Sequence, residues 1–330
     1  MLILFYAICV IKQPMAGTPA FVIERVDGEV KLDSLLTRAT QLEKKIVAVA
    51  AAEDEEVLEA VVLAVKRNLA DFLLFGDSEK IMRILARLYP EYASNPSLII
   101  LPTTSLESAA EKAVKAVNQK EADVLMKGNV TTALLLKAVL NKDYGLRTGR
   151  VLSHVAVFEV EGFDRFTIIT DAAMNIAPDL ETKVQIAENS VGIARSIGIS
   201  VPKVAPIAAV EIVNPSMQAT TDAALLTQMN RRGQIKNCII DGPLGLDNAV
   251  SSLAAEHKGI VSDVAGQADI LLVPSIEVGN TLYKSLIYFA HAKVGAVIAG
   301  ARAPIVLTSR ADTAESKLYS LALALCSVTR

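Results

Sequence analysis

Residues Ile46–Asn68 read IVAVAAAEDEEVLEAVVLAVKRN. The run Ile46–Ala52 is wholly apolar, small or β-branched, as a strand buried on both faces requires. Glu53, Asp54, Glu55 and Glu56 then open a helix, with carboxylates at its positive end. The same strand-then-helix reading recurs three times downstream. DFLLFGD (Asp71–Asp77) is a strand closed by Gly76, and the helix Ser78–Tyr89 stops before Pro90. SLIILP (Ser97–Pro102) precedes a helix over Ser105–Lys120, and DVLMKG (Asp123–Gly128) precedes one over Thr131–Asn141. Repeated βα units imply a mostly parallel sheet covered by helices on both faces.

From Val151 the pattern changes. SHVAVFEV (Ser153–Val160) and FTIITD (Phe166–Asp171) read as paired, alternating strands. The αβ series then resumes with helices at Leu180–Ile197, Thr220–Asn230, Asn248–Lys258 and Val278–Phe289. Between and after them stand the strands VAPIAA, NCIIDGP, ADILLVP, AVIAG and PIVLTS, and a helix over Thr313–Val328 closes the chain. No Pro-, Gly- or Ser-rich linker divides this series, and there is no internal repeat. Two α/β domains packed edge to edge, with a cleft between them, are expected.

Composition narrows the function. The 330 residues are 52% hydrophobic with net charge −3, which suits a packed core and not disorder. Without a basic block, nucleic acid is excluded as a partner. Cys9, Cys238 and Cys326 are too scattered for a disulfide framework or zinc site, so a reducing cytoplasm is expected, with Cys238 in the core. His154, His257 and His291 are isolated and form no metal set. His154, beside Ser153, can face a cleft; the other two are expected on solvated helices near lysines. Met1–Ile11 is apolar but too short to span a bilayer. It reads as an upstream start or an extra edge strand, a membrane role is not expected, and a chain starting at Met15 should keep full activity. There is no G-x-S-x-G elbow and no convincing G-x-G-x-x-G, which weakens hydrolase and nicotinamide readings.

Chemistry gathers at the strand ends. IAGARAPIVLTSRA (Ile298–Ala311) delivers a hydroxyl, Ser309, and a guanidinium, Arg310, to one place. A planar guanidinium suits phosphate or carboxylate, although Arg310 could instead pair with Asp312 or Glu315 at a helix start. Lys127, Gly128, Thr131 and Thr132 form a turn that opens a helix and could take an anion, or be an ordinary capped βα turn. Asp171 and Asn175 follow the FTIIT strand, and Asp241, Gly242 and Pro243 follow CII. Gly279 and Asn280 open the helix that carries Tyr283 and Lys284. Ligands of open α/β sheets bind outside the carboxyl ends of the strands, so these residues are candidates for substrate contact.

From about Lys45 onward the chain resembles the phosphate acetyltransferase and phosphate butyryltransferase family. The resemblance rests on AAEDEEVLEAV, DVLMKGNVTT, TDAAMNIAPD, DGPLGLDNA, VAGQADILLVPSIEVGNTLYKSL and LTSRAD, in that order. MKGNVTT and TDAAMNIAPD look closer to the butyryl branch. The resemblance implies a two-domain fold like isocitrate and isopropylmalate dehydrogenases, with residues 1–157 plus 299–330 as the first domain and 158–298 as the second. It implies a homodimer or larger homo-oligomer and the reversible reaction of acyl-CoA with phosphate to give acyl phosphate and CoA. These are substrates, and no permanently bound cofactor is expected. Ser309 would orient the thiol, Arg310 would hold phosphate, and a carboxylate would be the base. The acetyl enzymes place an aspartate seven residues after the serine; here that position is Ser316. Asp312, Glu315 and Asp241 remain candidates, with Asp312 preferred as nearest in sequence to Ser309. Competing readings are an acetyl-specific enzyme, a metal- and nicotinamide-dependent dehydrogenase of the same fold, and a fatty-acyl phosphate transferase served by acyl carrier protein.

Overall fold

The structure, a computed structural model, describes residues 25–26, 29–307 and 312–328. A two-stranded hairpin, β1 (Arg25–Val26) and β2 (Glu29–Val30), leads into α1 (Asp33–Gln41). The expected βα series follows as β3 (Lys45–Ala50), α2 (Glu55–Lys66), β4 (Ala70–Gly76), α3 (Ser78–Leu88), β5 (Leu98–Pro102), α4 (Leu106–Asn118), β6 (Val124–Lys127) and α5 (Thr132–Val139). The helix starts are set by their caps. The Asp54 carboxylate accepts from the Val57 N–H, and the Ser105 hydroxyl accepts from the Ser108 N–H. Each satisfies an amide that the helix leaves without a partner.

The remaining elements are β7 (Ser153–Glu159), β8 (Thr167–Thr170), α6 (Leu180–Ser196), β9 (Lys203–Pro206), α7 (Gln218–Arg231), β10 (Ile239–Ile240), α8 (Leu246–Val250), α9 (Ser252–His257), β11 (Ile270–Leu272), α10 (Ile276–Tyr288), β12 (Lys293–Ala299), β13 (Ile305–Val306) and α11 (Ala314–Ser327). One sheet of eleven strands runs in the order β10-β9-β11-β8-β7-β12-β13-β6-β3-β4-β5. Pairing is parallel within each flank and antiparallel at β8–β7, β7–β12 and β12–β13. Two oppositely directed parallel blocks therefore meet in the middle. There β12 and β13 join through a single residue pair, Ile298 opposite Ile305.

Several local expectations change. β7 does not alternate: Ser153–Phe158 are all buried, because the strand lies inside the sheet with both faces covered. The single helix expected at Asn248–Lys258 is two short ones, and the Ser251 hydroxyl caps the second by accepting from the Ala254 N–H. His257 ends α9 and is exposed, but exposed His291 lies beyond α10 with φ of 49°, outside any helix. Cys238 is half-buried rather than in the core, and burial pushes its thiol up to about 11. The Met1–Ile11 run and the last two residues expected in the PIVLTS strand, Thr308 and Ser309, lie outside the described residues.

The core is aliphatic. α11 is buried over the whole stretch Lys317–Cys326, so it is covered on every side. It packs tightly on the sheet at Gly295, where a Cβ would lie 2.9 Å from the Tyr319 backbone. Among the described residues no helix is long and apolar enough to cross a membrane.

Candidate active site

The junction of the two blocks holds a cavity of about 630 Å³. Its lining comes from both blocks and from the strands between them. Lys127 ends β6, and Val130, Thr131 and Thr132 lead into α5. Ala172, Ala173 and Met174 follow β8, and Asn280, Tyr283 and Lys284 lie on α10. His154 of β7, Ile298 of β12, Leu307 beyond β13 and Asp312 ahead of α11 complete the lining.

The glycine of the Lys127–Thr132 turn serves the backbone. A Cβ on Gly128 would lie 2.0 Å from the Ala51 carbonyl oxygen. The Gly128 and Asn129 N–H groups donate to the Ala50 and Ala51 carbonyls at 2.9 and 2.6 Å. These two amides are therefore held by the end of β3 and do not face an anion. The Thr131 hydroxyl caps α5 by accepting from the Leu134 N–H at 3.3 Å. What the turn offers the cavity is cationic: Lys127 is buried, its Nζ 3.3 Å from the Gly128 carbonyl.

Asp171 has a comparable internal duty. It is buried, and its carboxylate accepts from the Ala173, Met174 and Asn175 N–H groups at 2.9, 3.0 and 3.2 Å. Asn175 Nδ2 donates to the same carboxylate at 2.6 Å and to the Leu152 carbonyl at 2.9 Å. The pair thus shapes the loop that puts Ala173 and Met174 in the wall. Gly279 lets α10 approach this loop, since a Cβ there would lie 2.6 Å from the Asp171 carbonyl. Asn280 Nδ2 donates to the Ala172 carbonyl at 3.4 Å.

The ring of Tyr283 stands edge-on to His154 and Phe158, with centroids 5.8 and 5.2 Å away. Burial, helped by the Asp312 charge, raises its hydroxyl well above the ordinary range, so it stays protonated. His154 is buried, and that burial lowers its pKa against the opposing pull of Asp171 and Asp312.

Of the three carboxylates weighed as a base, Asp312 alone lines the cavity. Glu315 is exposed and turned toward β12, accepting from Lys293 Nζ at 3.3 Å and from the Tyr319 hydroxyl at 3.0 Å. Asp241 faces Arg231 at 3.4 Å beyond β10, the edge strand, and Gly242 packs on Pro206 there. Pro243 shares that turn and is not part of the cavity lining. Ser309 and Arg310 lie outside the described residues. The apolar lining, Val130, Met174, Ile298 and Leu307, carries no sequence mark that separates it from core. Among the described residues no three His, Cys, Asp or Glu side chains gather as a metal site would need.

Residues 101–325 match the family described as phosphate acetyl/butaryl transferase. The probable phosphate butyryltransferase of Bacillus subtilis is 57% identical over 90% of this chain and 97% of its own. The phosphate acetyltransferase of Thermotoga maritima is 49% identical over 88% of this chain and 98% of its own. Among solved structures, a branched-chain phosphotransacylase from Enterococcus faecalis superposes with TM-score 0.76 at 36% identity, covering 86% of this chain and 99% of that one. The chain belongs to the phosphate acetyl/butyryl transferase family and is an acyltransferase.

Proposed function

We propose that the protein exchanges short acyl groups, butyryl or branched in preference to acetyl, between CoA and phosphate. The observation that carries this reading is the make-up of the cavity: an apolar wall beside two lysines and one carboxylate, Asp312. The alkyl chain takes the wall of Val130, Ile298 and Leu307. Phosphate takes Lys127 and Lys284, with Arg310 closing on it as a bidentate clamp.

In the direction of acyl phosphate, a phosphate oxygen attacks the thioester carbonyl and the C–S bond breaks. The phosphate proton passes through Asp312 to the leaving sulfur. In reverse, Asp312 draws the proton from the CoA thiol, which Ser309 orients. A thiol of pKa about 8.5 costs roughly 2 kcal/mol to ionise at pH 7, so a positioned base repays itself in rate. Asn280, Thr131 and Thr132 supply polar contacts at the mouth, while Asp171, Asn175, Gly128 and Gly279 shape it. Asp241, Gly242, Pro243 and Glu315 take no direct part. CoA, acyl-CoA, phosphate and acyl phosphate are substrates, with no permanently bound cofactor. The enzyme works in the cytoplasm as a homodimer, each chain split into residues 1–157 plus 299–330 and residues 158–298.

Acetyl transfer is the second reading, favoured by the near-equal identity to an acetyl enzyme. One methylene in an apolar pocket is worth only about 1–3 kcal/mol, so both substrates should react, at different kcat/KM. The deciding assay follows CoA release with a thiol reagent, from butyryl-CoA and from acetyl-CoA, with and without phosphate. Higher kcat/KM for butyryl-CoA is expected; higher kcat/KM for acetyl-CoA reassigns the substrate, and phosphate-independent release overturns the transfer itself.

A further inference from the structure

His154 forms part of the cavity, and no role above uses it. It is 8% exposed, and among the described residues its buried Nδ1 has no hydrogen-bond partner. A neutral imidazole has one N–H and one bare nitrogen. A hydrogen on Nδ1 would be an orphaned buried donor, whereas a bare Nδ1 leaves only a lone pair unmatched, which folded proteins tolerate more often. The hydrogen therefore belongs on Nε2. His154 sits opposite Ile298 across the β7–β12 ladder, and Leu307 shares the same wall. It thus belongs to the apolar wall proposed for the alkyl chain.

We propose that His154 is a neutral oxyanion donor whose Nε2–H binds the acyl oxygen of the substrate. The proposal rests on the acyltransferase reading. As the phosphate oxygen bonds to the carbonyl carbon, the π pair moves onto the acyl oxygen and strengthens the hydrogen bond from Nε2. When the pair returns, the C–S bond breaks and sulfur leaves with its electrons, taking the phosphate proton by way of Asp312. His154 neither gains nor loses a proton. Burial, which disfavours the charged ring, keeps it in the required neutral form while the Asp171 and Asp312 charges pull the other way.

The test has two arms. The intact chain, labelled with nitrogen-15 in its three histidines, is read by NMR at pH 7. His257→Asn and His291→Asn, both at exposed positions, assign the signals by elimination. A bare Nδ1 with a protonated Nε2 is expected for His154; a protonated Nδ1, in either the other tautomer or the cation, overturns the proposal. In the second arm, His154→Ala should lower kcat with butyryl-CoA and phosphate about 10²–10³-fold, with KM changed less than about threefold. His154→Gln, which can place an amide N–H near the Nε2 position, should recover at least about tenfold of that loss. A folded Ala variant with near-normal kcat, or a folded Gln variant no better than Ala, overturns it. If the unaltered chain shows no phosphate-dependent release of CoA, the acyltransferase reading fails instead, and the donor role falls with it whichever tautomer the NMR finds.

Discussion

The turn Lys127–Gly128 closes β6 and the turn Asp241–Gly242 follows β10, and each sets a charged side chain beside a glycine where a strand ends. In sequence they are twins. In the sheet, β6 is next to β13 at the junction of the two blocks, while β10 is the outermost strand of one flank. Only the first opens on the cavity. The charge of the second is spent on Arg231. Of these two glycine turns, the one that lines a cavity stands where the two blocks of the sheet meet, the kind of place where open α/β sheets leave a crevice outside their strand ends.

The largest effect is expected where a carboxylate that lines the cavity becomes an amide. Asp312→Asn should cost about 10²–10⁴ in kcat/KM for acyl phosphate with CoA, as expected on removing a general base. The deficit should shrink as pH rises toward about 8.5, where the thiol ionises unaided. A loss that stays constant with pH would remove Asp312 from proton transfer.

Arg310→Lys should raise the phosphate KM roughly 10–100-fold while the melting temperature holds, since the charge remains and the two-pronged contact is lost. Steady-state kinetics at varied phosphate would check it, and an unchanged KM and kcat would take Arg310 out of the site.

The glycines separate on stability. At Gly128 a Cβ would meet backbone at 2.0 Å, and at Gly242 the nearest atom is a Pro206 side-chain carbon at 3.1 Å. Gly128→Ala should therefore cost about 1–3 kcal/mol or more, as overpacking against backbone does, and Gly242→Ala clearly less. Urea melts of the two variants side by side would show whether that order holds.

The smallest effect is expected at Asp241→Asn. Its partner Arg231 is largely exposed, with a separation of 3.4 Å, so stability should move by less than about 1 kcal/mol and kcat/KM by less than about twofold. A tenfold loss of activity would return the DGP turn to the site and undo the comparison.

Much of the architecture was legible because parallel strands are uniformly apolar and their helices begin on caps and acidic turns, as Asp54 and Ser105 do. The alternation expected of SHVAVFEV failed for the same reason: burial on both faces erases the period of two. The helix break at Ser251 was hidden because serine caps by a local hydrogen bond that apolar spacing does not register. In the site, Lys127 and Asp312 were visible as charged residues at element ends, and Asn280, Tyr283 and Lys284 as polar residues of one helix. Val130, Ile298 and Leu307 were not, since an aliphatic residue at a strand end looks the same against a ligand as against a helix. Asp171 was seen as a ligand candidate, but the four hydrogen bonds it accepts within the next four residues depend on a loop shape that composition does not specify.

The burial of α11 also bears on how the molecule is made. This helix packs against β12, α1 and α2, and β13 just before it is the strand that β6 pairs with on its inner side. During synthesis the first four βα units emerge early, but β6 gains its partner β13, and α2 its packing against α11, only after residues 305–327 leave the ribosome. The nascent chain thus holds the aliphatic surface that α11 covers open for most of translation.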